Sequence, residues 1–297
     1  MIATSSQRAA FETLLAMGNL YFSGRRTLPK IKLRLQPLII GATGCGKSFL
    51  VENAARRLQA KYFRITRGDW IPYGSKGPRP TVFRILDEVA TFDRVVLHID
   101  ELDKFSQLQE REWSAAIASD LWNVLDGKFQ LGEYLRETMF PDGKKPNEQA
   151  LAHRVRTSLW IVGSGTWQDV YSNSRGRPTM GFQCGRQPVE SVDMAKIAGS
   201  EMISPELLHR FGEPIFIEYP TREETAQLIE STGIASLAAQ AGILVSADQI
   251  NWNQGGLRVL ETLATRLTVA LYRSKQPGPT SLPLDRGAEP EAEKSPF

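Results

Sequence analysis

The stretch Gly41-Ala42-Thr43-Gly44-Cys45-Gly46-Lys47-Ser48 is entered from the apolar run Pro37-Leu38-Ile39-Ile40 and continued by Phe49-Leu50-Val51-Glu52-Asn53-Ala54-Ala55. It satisfies G-x-x-x-x-G-K-[ST] in the setting that pattern requires: a short buried strand, a glycine-rich turn, then a helix. Glycine permits backbone angles that turn successive N–H groups inward. The helix N-terminus adds its dipole, so the turn forms a cradle for phosphate. In such a cradle residues 41–49 hold ATP, Lys47 reaches its β- and γ-phosphates, and Ser48 offers a hydroxyl to Mg²⁺.

A second acidic element follows. Val95-Val96-Leu97-His98-Ile99 is an apolar strand that delivers Asp100 and Glu101 at its C-terminal edge, where open α/β sheets bind their ligands. Asp100 fits a carboxylate behind Mg²⁺, and Glu101 fits a general base that activates water against the γ-phosphate.

At 297 residues the chain is long enough for one large domain with a smaller companion. With 41% hydrophobic and 23% charged residues, the composition is that of a soluble globular protein. The net charge of +3 is too small to argue for nucleic acid by itself. Two cysteines, Cys45 and Cys184, make no paired framework, which fits a reducing interior. His98, His153 and His209 form no zinc spacing with them and read as isolated core or surface residues. There is neither a membrane-length apolar run nor a secretion signal, so a cytoplasmic protein without membrane contact is expected.

Hydrophobic periodicity divides the chain into four parts: an N-terminal helix and connector over 1–32, an α/β domain over 33–220, a small helical lid over 221–274, and a proline-rich disordered tail over 275–297. Within the second part, strands are expected at 37–40, 61–65, 94–99, 157–162 and 215–219. They alternate with helices that include 81–90 and one carrying Trp113, Ile117, Leu121, Trp122 and Leu125, closed by Gly127. Such alternation predicts a five-stranded, mainly parallel sheet covered on both faces. Residues 138–155 read as a mobile insertion.

In this order of motifs the chain resembles the AAA+ ATPases, and among them the ClpX and HslU branch of protein unfoldases, from about Leu33 to Leu271. Asp100-Glu101-Leu102-Asp103-Lys104 is similar to the D-E-I-D-K that follows the Walker B strand there. Trp160-Ile161-Val162-Gly163-Ser164-Gly165-Thr166-Trp167 looks like the sensor 1 segment, which implies that Thr166, or alternatively Ser164, holds the attacking water. Ile203-Ser204-Pro205-Glu206-Leu207-Leu208-His209-Arg210-Phe211 resembles the box VII segment and makes Arg210 an arginine finger that acts on a neighbouring subunit. Gly255-Gly256-Leu257-Arg258 resembles a sensor 2 helix start of the Lon type, with Arg258 reaching the nucleotide from the lid; ClpX places its arginine slightly earlier.

The resemblance also implies a task. Trp70-Ile71-Pro72-Tyr73-Gly74-Ser75 stands where the unfoldases carry an aromatic–glycine pore loop, with Tyr73 the gripping residue and Trp70 the reserve. Met180-Gly181-Phe182, within 178–183, falls where ClpX carries the loop that docks on a peptidase ring. The four-cysteine domain of ClpX and the large insertion of HslU are absent. The expected protein is a ring motor, a hexamer because the finger needs a neighbour, that threads a protein substrate. A nucleic-acid-directed regulator of the transposition or defence type is the alternative, on the basic pairs Arg25-Arg26 and Arg56-Arg57 and the run Arg175-Gly176-Arg177.

Overall fold

The apolar run before the phosphate loop lies at the inside of a sheet. β3 (Leu38–Gly41) is buried along its whole length and pairs in parallel with β6 (Leu159–Gly165) on one side and β7 (Pro214–Ile217) on the other. β5 (Val95–Ile99) joins β6, and β4 (Lys61–Ile65) closes the far edge, giving the order β4-β5-β6-β3-β7 with every pair parallel. The structure is a computed structural model that describes residues 4–24, 27–28, 31–75, 77–105, 112–138, 147–167, 209–212, 214–250 and 257–275. A two-stranded antiparallel hairpin, β1 (Thr27–Leu28) and β2 (Ile31–Lys32), precedes the sheet.

Parallel neighbours require crossovers, and helices supply them. α2 (Lys47–Arg57) connects β3 to β4, and α3 (Thr81–Thr91) connects β4 to β5. α4 (Glu112–Leu125), α5 (Leu131–Glu137) and α6 (Glu148–Ser158) lie between β5 and β6. Because side chains alternate along a strand, each one feeds two cores. Leu38, Ile40, Leu97 and Ile161 pack with α3, α4, α5 and α6, whereas Ile39, Val96, Trp160 and Val162 pack with α2 and the N-terminal helix α1 (Ser5–Phe22).

α1 belongs to the second core, with Leu14 wholly buried. Thr4 starts it through a capping box with Gln7. Gly18 lets it approach: a Cβ there would lie 2.5 Å from Leu58 Cδ1 and 3.0 Å from the Trp160 ring. The Trp160 indole N–H donates to the Leu35 carbonyl at 2.6 Å, so this large side chain is buried without an orphaned donor.

Two expectations are corrected. Of the stretch read as a mobile insertion, 139–146 lies outside the described residues, but the remainder from Asn147 is the start of α6. The Asn147 side chain accepts from the Gln149 amide, and Leu151 and Val155 are buried against the sheet. The fourth strand opens at Leu159 rather than 157, because Thr157 and Ser158 complete that helix.

After β7, Thr221 caps α7 (Arg222–Ser231) through a capping box with Glu224, and α8 (Ile234–Gln240) and α9 (Arg258–Lys275) follow. These helices share a core of their own, with Leu228, Ile229, Ile234, Ala238, Leu260 and Leu267 buried. The stretch read as a disordered tail lies, beyond Lys275, outside the described residues. Among the described residues no helix is long and apolar enough to cross a membrane.

Replacing Gly18 by Val forces a branched side chain into the α1, Leu58 and Trp160 contact. Overpacking of this kind costs roughly 1–3 kcal/mol. Urea denaturation of Gly18→Val is expected to show an unfolding free energy lowered by that amount, with the midpoint shifted down accordingly; an unchanged midpoint contradicts the packing described.

Candidate active site

The turn between β3 and α2 has the shape its glycines allow. Gly44 and Gly46 adopt left-handed φ values of 78° and 89°, and Gly46 is the N-cap of α2. At Gly41 a Cβ would stand 2.8 Å from both the Cys45 sulfur and the Ile217 carbonyl oxygen, so the loop closes tightly on the edge of β7. Lys47 is 8% exposed, and its Nζ donates to the carbonyls of Gly41 and Ala42 at 2.8 and 3.0 Å. The ammonium is thus held at the loop by neutral acceptors that an anionic ligand can displace. Burial pushes the Cys45 thiol up, against the pull of Lys47, so it behaves as a small apolar side chain.

Asp100 stands opposite this loop, at the C-terminal end of β5. One carboxylate oxygen, Oδ2, accepts from Ser48 Oγ at 2.7 Å and from Arg64 Nε at 2.9 Å. The other, Oδ1, accepts from Ser164 Oγ at 2.5 Å and from the Glu101 amide at 2.9 Å. Burial opposes the charge on Asp100, but the hydrogen bonds from Ser164, Ser48 and Arg64 outweigh it and hold the carboxyl well below its usual range. His98 itself is wholly buried, and burial pushes its pKa down to about 4, so the ring is neutral at pH 7. It is the hydrogen-bonded serines and the guanidinium that keep Asp100 ionised there.

Glu101 is the next residue and turns the other way. Its backbone is left-handed, with φ 57°, and its carboxylate accepts from Lys104 Nζ at 2.8 Å; both side chains are close to half exposed. Thr166, just past β6, donates to Asp103 Oδ2 at 2.8 Å. A cavity of about 460 Å³ lies between these groups, lined by Lys47, Ser48, Asp100, Glu101 and Thr166 from the sheet side and by Arg258 from the lid. Phe49, 39% exposed, also lines it. The lid is joined to the loop directly, since the Leu257 amide donates to the Gly44 carbonyl at 2.9 Å.

The residues expected at 43, 44, 46–49, 100, 101, 166 and 258 therefore meet around one space, whereas Gly41, Ala42 and Cys45 belong to the same turn without lining it. Ser164, the alternative to Thr166, is wholly buried behind Asp100 and does not line the cavity. Arg210 is elsewhere. It precedes β7 at the opposite end of the sheet, paired with Asp126 at 2.6 and 3.2 Å and stacked 4.7 Å from the Trp122 ring centroid. It faces a second cavity with Arg34, Lys128 and Arg156.

The aromatic pair of the 70–75 loop needs correcting. Trp70 is 5% exposed and packs edge-on against Phe105, so it is a core residue and cannot be a reserve gripping residue. Tyr73 is half-buried. Its ring lies edge-on to Phe83, its amide donates to Asp120, and its hydroxyl donates to Glu133, so at rest this side chain is folded inward and only Gly74 of the aromatic–glycine pair is exposed. Met180, Gly181 and Phe182, together with 203–208, Gly255, Gly256, Cys184 and the Arg175-Gly176-Arg177 run, lie outside the described residues.

Several site residues were not anticipated. Arg64 is one, although a charged residue one place from the end of a strand that runs to the ligand edge was a usable signal. His98, read as isolated, is another, and its signal was a lone polar residue inside an apolar strand. Gln7 is a third: its side chain donates to the Cys45 carbonyl at 2.8 Å from the N-terminus of α1, a contact across 38 residues that no local pattern announces. His153 and His209 are exposed, and among the described residues no cluster of three His, Cys, Asp or Glu side chains is placed to hold a metal.

Residues 37–145 match the family described as ATPase family associated with various cellular activities (AAA). Among solved structures, the FIGL-1 AAA domain in complex with ADP is similar at a TM-score of 0.46 and 15% identity, over 77% of this chain and 57% of that one. The chain thus spans little more than half the length of that structure. The matched stretch bears the phosphate loop, Asp100 and Glu101, and it lies within a parallel α/β sheet.

Proposed function

We propose that the chain is the subunit of an ATP-driven ring motor that remodels a protein substrate, in the manner of the ClpX-like unfoldases. The observation that carries this reading is the meeting of Lys47, the Ser48–Asp100 pair, Glu101 and the lid residue Arg258 around one cavity. Phosphate enters against the loop amides and the N-terminus of α2, and Lys47 exchanges the carbonyls of Gly41 and Ala42 for phosphate oxygens. Ser48 and Asp100 suit Mg²⁺: the donors are hard oxygens, one of them a buried ionised carboxylate, and a site with so few protein ligands leaves room for water and phosphate. When bound, that ion neutralises charge on the β- and γ-phosphates.

Glu101 is the base. It takes a proton from water as the water oxygen bonds to the γ-phosphorus and the bond to the β–γ bridging oxygen breaks, leaving ADP and phosphate. To do so its carboxylate must leave Lys104, which makes that ion pair a resting position. Thr166 borders the same space and orients the water, with Asp103 accepting its hydroxyl proton. Arg258 reports nucleotide state to the lid, and the Leu257–Gly44 bond moves lid and loop together.

Arg210 acts in trans. Its place at the end of the sheet away from its own phosphate loop supports this reading, in which the guanidinium leaves Asp126 to serve a neighbouring copy. In this reading the subunits close into a ring, expected to be a hexamer, because the arginine needs a neighbour. Tyr73 would contact the client by turning out from Phe83 and Glu133. The inward packing of both loop aromatics favours a second reading, a nucleic-acid-directed regulator in which this loop grips nothing.

Glu101→Gln is expected to bind ATP while hydrolysing it at least about a hundredfold more slowly, measured by phosphate release; general-base catalysis contributes about 10²–10⁴. Unchanged turnover contradicts the assignment. Arg210→Ala is expected to lose hydrolysis alone and to recover part of it when mixed with Lys47→Ala subunits, and mixtures that stay inactive argue against action in trans. Tyr73→Ala should keep ATPase activity and lose unfolding of a tagged test protein. Loss of nucleic-acid stimulation alone places the second reading ahead.

A further inference from the structure

Behind Asp100 runs a continuous line of hydrogen bonds. Tyr62 OH meets His98 Nδ1 at 2.8 Å, His98 Nε2 meets Ser164 Oγ at 2.8 Å, and Ser164 Oγ meets Asp100 Oδ1 at 2.5 Å. His98 and Ser164 are wholly buried, one in β5 and the other in β6, so neither is solvated and each depends on these partners.

The direction of every bond follows by elimination. Both oxygens of Asp100 already accept, Oδ1 from the Glu101 amide and Oδ2 from Ser48 and the Arg64 guanidinium, so the short contact of Oδ1 with Ser164 requires the serine proton. A hydroxyl has one proton. Toward His98 the same oxygen therefore accepts, and Nε2 must carry a hydrogen. A ring with no exposed surface, whose two nitrogens meet only hydroxyls, is the neutral imidazole, so Nδ1 is bare and takes the proton of Tyr62. Each group thus donates toward Asp100, from the half-buried edge strand inward.

The opposite tautomer breaks this order. With hydrogen on Nδ1, Nε2 becomes an acceptor and competes with Asp100 for the single proton of Ser164. If it wins, the Ser164 and Asp100 oxygens face each other with lone pairs, and the carboxylate turns away from Ser48. Tyr62 prevents this by occupying Nδ1. β4 thereby acts on Asp100 twice, directly through Arg64 and at a distance through Tyr62.

We propose that His98 is a positioning residue, held in its Nε2–H form by Tyr62, that fixes the Ser164 hydroxyl as a donor to Asp100 and so sets the carboxylate for the Mg²⁺ held with Ser48. This rests on the reading of Ser48 and Asp100 as the Mg²⁺ site. The imidazole tautomer and the Mg²⁺ dependence of turnover are separate readouts. In ¹⁵N spectra of the histidine-labelled protein, with His98 assigned by its loss in His98→Leu or His98→Gln, the ring is expected as the Nε2–H tautomer alone, and Tyr62→Phe is expected to mix the two.

In phosphate-release assays His98→Leu should raise the half-saturating Mg²⁺ concentration about tenfold or more, in line with the loss of groups that orient a ligand. The rate at saturating Mg²⁺ should fall much less. His98→Gln, whose amide both accepts and donates, should restore most of the Mg²⁺ affinity. An Nδ1–H ring in the unaltered protein, a tautomer insensitive to Tyr62→Phe, or equal Mg²⁺ dependence in His98→Leu overturns the proposal. A protein that hydrolyses no ATP overturns the functional reading instead, and the imidazole spectrum still decides the hydrogen-bond order.

Discussion

Asp100 is 4% exposed and its carboxylate is charged, and a charge that deep is tolerated only where donors replace the water it has lost. Those donors come from four places in the chain: Ser48 in α2, Arg64 in β4, Ser164 in β6 and the amide of Glu101. β5 must therefore lie between β4 and β6 in register, and β3 must launch α2 from the neighbouring position. A buried charge left without its partners costs about 3–5 kcal/mol, a sizeable part of the stability of a domain. Satisfying this one group fixes the strand order and builds the site at the same time.

Around that centre the molecule has two working ends. At the C-terminal end of the sheet, the phosphate loop is held from three sides. Gln7 of α1 donates to the Cys45 carbonyl, Leu257 of the lid donates to the Gly44 carbonyl, and Gly41 closes on β7. α1 also touches the lid, for the Ser5 amide donates to Glu224 at 2.6 Å, and Ser6 accepts from the Glu218 amide where β7 ends. A change in lid angle therefore bears on the loop by two routes, one through Leu257 and one through α1. At the other end stand Arg210, Asp126 and Trp122.

Much of this was legible in the residues. The phosphate-loop pattern, the apolar strand running into Asp100-Glu101, and the alternation of strands and helices each express a local rule: glycine turns, ligand edges, buried parallel strands. What escaped the sequence was set by distance. His98 reads as a stray polar residue in an apolar strand until β6 places Ser164 against it, and Arg64 reads as strand surface until β5 places Asp100 beside it. Trp70 and Tyr73 stand in a loop whose position suits exposed aromatics, yet Phe105, Phe83 and Glu133, up to 60 residues away, draw both inward. The helical start at Asn147 was hidden because a proline- and glycine-rich stretch directly precedes it, although its cap and apolar spacing were present.

The central claim is that a hydroxyl and a buried carboxylate 2.7 Å apart form the protein's share of a magnesium–phosphate site. Calorimetric titration of ATP with and without Mg²⁺, in the unaltered protein and in Ser48→Ala, tests it most directly. The account predicts that Mg²⁺ tightens ATP binding in the first and not in the second, while metal-free affinity stays the same in both. Equal tightening in both proteins, or none in either, contradicts it.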